Sequence, residues 1–333
     1  MKITARVVAR IRQPLAHCRV ATVPGSGVVF IAGATPAGPS EAGGGLWRWS
    51  PSTPPIRLRN DLRRWRFGVS LYGGSNHDEM IVLWGGAPTT MGARAALDSG
   101  LDTALVLSTD NGITIEEPKW LSTAVLEPIV EQLPNGRAIV LGGLSPYHEI
   151  PQRTMTSFVD GEPRRSIQLP QPHGYFGDAA RIGSRLHANQ NVTGPAGVDL
   201  GVPYLERRRD GDSRGFAVGL DDIFGATEIP PHRGSALAQE SSTSYLRFGG
   251  ATYGHRETRL WRVGVGGAVA LGDVIDEDGK PLCLQDAAAY HQERRLWLFG
   301  GFRHTTEFAP NGAPIMGGAP SDVIYQLDVP AEE

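Results

Sequence analysis

Arg294-Arg295-Leu296-Trp297-Leu298-Phe299-Gly300-Gly301-Phe302 is a short apolar strand running into a glycine pair, and the same order of residues recurs along almost the whole chain. Other copies are Met80-Ile-Val-Leu-Trp-Gly-Gly86, Ala138-Ile-Val-Leu-Gly-Gly143 and Tyr245-Leu-Arg-Phe-Gly-Gly250, with a degenerate one at Val28-Val-Phe-Ile-Ala-Gly33. Measured at the last glycine, the copies stand at 33, 86, 143, 250 and 301, in steps of 53, 57, 107 and 51. The step of 107 is close to two ordinary ones, so one copy is disguised. A period near 50 residues with several strands per unit means that each unit buries its faces against its neighbours. Six units fit the 333 residues.

Composition agrees with an all-β chain of many tight turns. Forty-three glycines supply positive φ, and 25 prolines mark positions outside paired strands. Lys plus Arg is 32 against 35 Asp plus Glu, a net of −3, so no overall field attracts nucleic acid or an acidic membrane. The N-terminal residues are interrupted by charges, and no run of about 18 apolar residues occurs. The chain reads as a soluble, unexported, cytoplasmic protein. Two cysteines, Cys18 and Cys283, are too few for a disulfide framework or a cysteine-based metal site.

In order, the units occupy about 13–60, 61–119, 120–170, 171–231, 232–280 and 281–333 of one domain. The last unit lacks a fourth strand, and residues 2–12 alternate apolar and polar with no unit of their own. Each deficiency answers the other. A ring of sheets closes when one sheet is built from both ends of the chain, which removes the open edge. Residues 2–12 are therefore expected to pair with 322–329.

The glycine pairs Trp84-Gly-Gly86, Leu141-Gly-Gly143, Phe248-Gly-Gly250 and Phe299-Gly-Gly301 at this spacing resemble those of the Kelch propellers and their galactose-oxidase-like relatives. The resemblance covers nearly the whole chain and implies a six-bladed β-propeller closed by the N-terminal strand. It also implies that the loops entering each innermost strand, and those joining second strands to third, line the mouth of a central channel. A copper radical site of the galactose-oxidase type has no recognisable motif around either cysteine. The iron-binding Glu-x3-Asp-x3-His of specifier-type Kelch proteins is approached by Glu206, Asp210 and Arg214, where Arg replaces the His. No metal and no cofactor are expected.

The disguised copy is Ser184-Arg-Leu-His-Ala-Asn-Gln-Asn-Val192. Here His187, Asn189 and Asn191 fall on one face, where the other copies are apolar; repeat decay or function accounts for such a departure. Across the mouth loops, His187, His255, Asp286 and Arg303 are the expected catalytic groups. Arg19, Arg66, Tyr147, His148, Tyr175, Asp178, Asn189, Tyr253 and His304 are expected to bind substrate. Arginines, carboxylates, histidines and aromatics together suit a small polar ligand and proton transfer. No phosphate loop, dinucleotide fingerprint, zinc-protease helix or nucleophile elbow is present. The sequence therefore points to a stand-alone propeller acting on a small polar or cyclisable metabolite by non-redox chemistry, as an isomerase, epimerase, cyclase or lyase. The alternative is a protein-protein interaction module, with a protein as its partner. Nucleic acid and membrane are not expected as partners.

Overall fold

The computed structural model describes residues 1–35, 43–72, 80–88, 100–133, 137–146, 152–159, 161–182, 185–193, 199–201, 204–208, 216–219, 234–252, 255–264, 267–304 and 318–331. Within 169–219 the description is of backbone alone. All regular structure among these residues is β, and contacts divide the chain into two compact units, His17–Tyr175 and Met1–Ala16 with Phe176–Glu333.

In the unit His17–Tyr175, the first sheet runs His17–Thr22, Val29–Thr35, Gly43–Ser50 and Thr53–Leu62, each antiparallel to the next. The second runs Gly68–Leu71, Met80–Trp84, Ala104–Ser108 and Thr114–Glu116. The innermost strands pack side by side, His17–Thr22 against Gly68–Leu71 and that in turn against Ile129–Leu133. Packing between sheets explains the apolar runs. Phe30, Leu46 and Leu62 of the first sheet meet Phe67, Val69, Ile81 and Leu83 of the second in one buried cluster. Val82, Trp84 and Val106 present the opposite face of the second sheet to Ala138, Val140 and Phe158. Alternate residues of one strand thus serve two interfaces, so the central runs are apolar on both faces.

The third sheet departs from expectation. The boundary between the third and fourth blades was expected at 170/171. Instead a continuous 21-residue strand, Glu162–Ile182, pairs with Gln152–Val159 and continues into a sheet with Arg185–Thr193, Tyr204–Arg208 and Phe216–Gly219. The described residues therefore form five blade-like sheets, one of them eight-stranded. The register shows how the strand passes Pro170 and Pro172: Thr154 opposes Gln168 while Gln152 opposes His173, so both prolines fall in a bulge. There their missing N–H breaks no ladder bond. Tyr204–Arg208 follows as a strand of this sheet, and Phe216–Gly219 pairs antiparallel with it. Glu206, Arg207 and Arg208 are consequently strand residues.

In the other unit, Ala236–Gln239, Ser244–Phe248, Arg259–Gly264 and Gly267–Ile275 form the fifth repeat's sheet. Ala288–Gln292, Arg295–Phe299 and Gly318–Asp328 form the last. Arg6–Leu15 pairs antiparallel with Gly318–Asp328, placing Arg6 opposite Gln326 and Arg10 opposite Val323, which supplies the missing strand. Lys2–Thr4 does something the alternation did not reveal. It adds in parallel to the sheet of the fifth repeat, with Ile3 opposite Val274. The N-terminal segment therefore ties two neighbouring sheets, and Ile3 and Ala5 are buried in the cluster between them with Leu246, Leu284, Leu298 and Tyr325.

Candidate functional site

Four innermost strands are preceded by a turn with one residue in the left-handed region. Arg66 has φ +55°, Glu127 +50°, Gly234 +67° and Asp286 +55°, and the strands begin at Gly68, Ile129, Ala236 and Ala288. The conformation is needed for a backbone link between successive turns. Glu127 N–H donates to the Arg66 carbonyl at 2.7 Å, and Asp286 N–H donates to the Gly234 carbonyl at 2.8 Å. Left-handed backbone costs a residue with a Cβ about 1–2 kcal/mol.

The glycine pairs make a second set of links. Gly86 N–H donates to Val125 O at 2.7 Å, Gly250 N–H to Leu284 O at 2.7 Å and Gly301 N–H to Leu15 O at 2.8 Å. Each acceptor stands two residues before the next turn residue, and by this rule His17 is the turn position of the first sheet. Ala34 lies opposite His17, so the degenerate first copy is Gly33-Ala34, one residue later than the sequence alignment put it.

The turn positions of the unit His17–Tyr175 are thus His17, Arg66 and Glu127, all buried. Arg66 Nε donates to Glu127 Oε1 in a buried ion pair. The Arg66 guanidinium lies 5.5 Å from the Trp65 ring centre, and the His17 ring meets Trp65 edge-on at 5.5 Å. Arg64 is spent on structure: its guanidinium donates to the carbonyls of Leu83, Gly85 and Thr103 and to the side chains of Thr103 and Glu117. Arg19, expected at a substrate, donates to the carbonyl of Cys18 at 2.8 Å.

In the other unit, Asp286 is buried at its turn. The short strand Phe302–His304 lies between Cys283–Gln285 and the start of Gly318–Asp328. Neighbouring residues there have opposite fates. Arg303 donates to Asp276 Oδ2 at 2.5 Å and to the Tyr325 hydroxyl at 3.2 Å, while Asp276 Oδ1 accepts the N–H groups of Asp278 and Lys280. His304 Nε2 meets Gln285 Oε1 at 2.8 Å, and its Nδ1 is buried with no partner among the described residues. Burial, and then the charge of Arg256, hold the His304 pKa below the usual imidazole value, which favours the neutral ring. The Cys283 thiol is pushed up to about 12 by burial and donates to the Gly250 carbonyl at 3.5 Å. Such a thiol is no nucleophile near neutral pH.

Arg247 is a buried charge that the sequence pattern did not single out. It sits in the fifth copy of the apolar run, where other copies have Ile31, Leu83, Val140 and Leu298, and it is buried. It donates to Ser235 Oγ at 3.2 Å, and Ser235 in turn donates to Gly249 O at 2.9 Å. The signal was visible as one charged residue inside an otherwise apolar run.

Of the other expected residues, His187 and Asn189 lie on the strand Arg185–Thr193, with His187 opposite Leu205. Tyr175 and Asp178 lie on Glu162–Ile182. His255 pairs with Thr252 in a short ladder. Their side chains, and the whole of Tyr147, His148 and Tyr253, lie outside the described structure. Among the described residues no group of three or more His, Cys, Asp or Glu could hold a metal ion, and no helix is long and apolar enough to cross a membrane.

No protein-family model matches the chain, and no curated protein matches it in sequence. Among solved structures, one described as "Structure of YjhT" is similar, with a TM-score of 0.67 and 11% identity, over 95% of this chain and 95% of that one. The likeness concerns the fold, which is all-β and propeller-like.

Proposed function

We propose that the chain is a Kelch-type propeller, with the eight-stranded sheet standing for two of six blades, and that it acts on a small polar metabolite by proton transfer without redox chemistry. The site is the edge where the innermost strands Ala236–Gln239 and Ala288–Gln292 begin. One observation carries the reading: in the unit Met1–Ala16 with Phe176–Glu333, the left-handed turn position before Ala288 holds the buried Asp286, where Gly234 serves before Ala236. Ionisable side chains kept buried on strained backbone are a mark of functional sites. Gly234 itself is required by space, since a Cβ there would lie 2.6 Å from Asp286 N, so the other turns have room for side chains that this one lacks.

Isomerisation, epimerisation, cyclisation and elimination all need a positioned base, and none needs a bound cofactor. Thermal shift against hydroxy acids, keto acids, sugars and cyclisable amino acids tests the reading. A compound that binds the native state raises the melting temperature, and Asp286→Asn should abolish the rise. A flat response across all four classes would transfer the chain to the interaction-module reading.

A further inference from the structure

Arg303 and His304 differ in what their side chains are left able to do. The Arg303 guanidinium is bound to Asp276 and Tyr325. His304 is placed by three neighbours. It stands opposite Cys283 on one side and Gly318 on the other. A Cβ on Gly318 would come within 3.2 Å of His304 Nε2, so glycine leaves the ring its room. Gln285 Oε1, a carbonyl oxygen, accepts, and with the amide in this orientation the hydrogen is assigned to Nε2. Nδ1 is then a lone pair, turned inward and without a donor among the described residues. A buried acceptor without a donor is destabilising, and such departures gather at functional sites.

We propose that His304 is the proton acceptor of this edge, with Gln285 as the positioning residue that fixes its tautomer. The inference rests on the proton-transfer reading above and exchanges two roles read from the sequence, which gave catalysis to Arg303 and binding to His304. The substrate it implies is a small molecule with a carbonyl-activated C–H bond. The proton passes to Nδ1, giving an imidazolium, while the C–H electron pair stays on the substrate as an enolate. Return of a proton to a different atom or face completes an isomerisation with no net change in electrons. Arg256, whose charge also acts on the ring, favours the neutral imidazole that such a step requires.

Two measurements on the full chain test the proposal. Imidazole nitrogen spectra of 15N-labelled protein at pH 7 should show His304 protonated at Nε2 only, and Gln285→Leu should mix the tautomers. A ring protonated at Nδ1 in the wild type overturns the assignment. Deuterium uptake by dihydroxyacetone in heavy water is the second readout. The wild type should exceed His304→Gln by about 100-fold, the lower range for general-base catalysis. Gln285→Leu should lower kcat and leave KM unchanged. Exchange retained by a folded His304→Gln, checked by its melting temperature, overturns the role of His304 alone. Exchange no faster than buffer in the wild type overturns the proton-transfer reading and the assignment together.

Discussion

Glu127 and Arg66 are joined twice, once through the backbone, where Glu127 N–H donates to the Arg66 carbonyl at 2.7 Å, and once through a buried ion pair between their side chains. The first link sets the turn and the second fills the space beneath it. With Glu127 1% exposed and Arg66 7%, neither charge can turn to water if its partner is lost. Glu127→Ala should therefore destabilise by about 3–5 kcal/mol, and the double change with Arg66→Met by clearly less. Urea unfolding of the two variants checks this. Additive losses would mean that the pair is not coupled.

Gly301 accounts for the glycine pair in steric terms. It has φ +78°, and a Cβ there would lie 2.7 Å from both Ala287 N and Gln285 O. Gly301→Val should cost more than about 2 kcal/mol, from backbone strain and overpacking together. Gly279, with φ +76° and nothing within 4 Å of its would-be Cβ, is the control. Gly279→Ala should show the left-handed penalty alone, about 1–2 kcal/mol. Equal losses at the two positions would dismiss the close approach as the cause.

The N-terminal segment covers two strand edges, at Asp273–Ile275 and along Gly318–Asp328. Deleting residues 1–12 should expose both and produce aggregation or a broadened unfolding transition. Light scattering during a thermal melt reads this directly. A truncated chain that melts as the full chain does would refute the tie.

His291 and His304 both have pKa values lowered by burial. For His291 the Glu240 carboxylate opposes that shift and Arg262 adds to it. A folded-state pKa below the ordinary 6.5 means that the unfolded chain binds protons first as pH falls. The stability is present above pH 6.5 and is lost as pH drops through the lower folded-state value. His291→Gln should flatten the fall in melting temperature between neutral pH and pH 5. An unchanged slope would assign the acid sensitivity elsewhere.

The repeat, the five apolar copies and the pairing of the N-terminal strand with the last sheet were legible in the residue order. The reason is that each is written locally. A two-face apolar run needs Leu, Val, Ile or Trp at every position, and a left-handed turn in close contact needs glycine. Arg303, His304 and Arg247 show what was not legible. The partners of Arg303 are Asp276 and Tyr325, at sequence separations of 27 and 22, and those of His304 and Arg247 are likewise distant residues brought near by strand register. Whether an arginine is spent on structure, or an imidazole nitrogen is buried without a partner, depends on those neighbours. Sequence alone determined where the strands and glycine turns recur; the tertiary structure decided which polar side chains remain able to act. Glu162–Ile182 makes the same distinction in the backbone, since the unit boundary expected at 170/171 falls inside a continuous strand whose prolines a bulge absorbs.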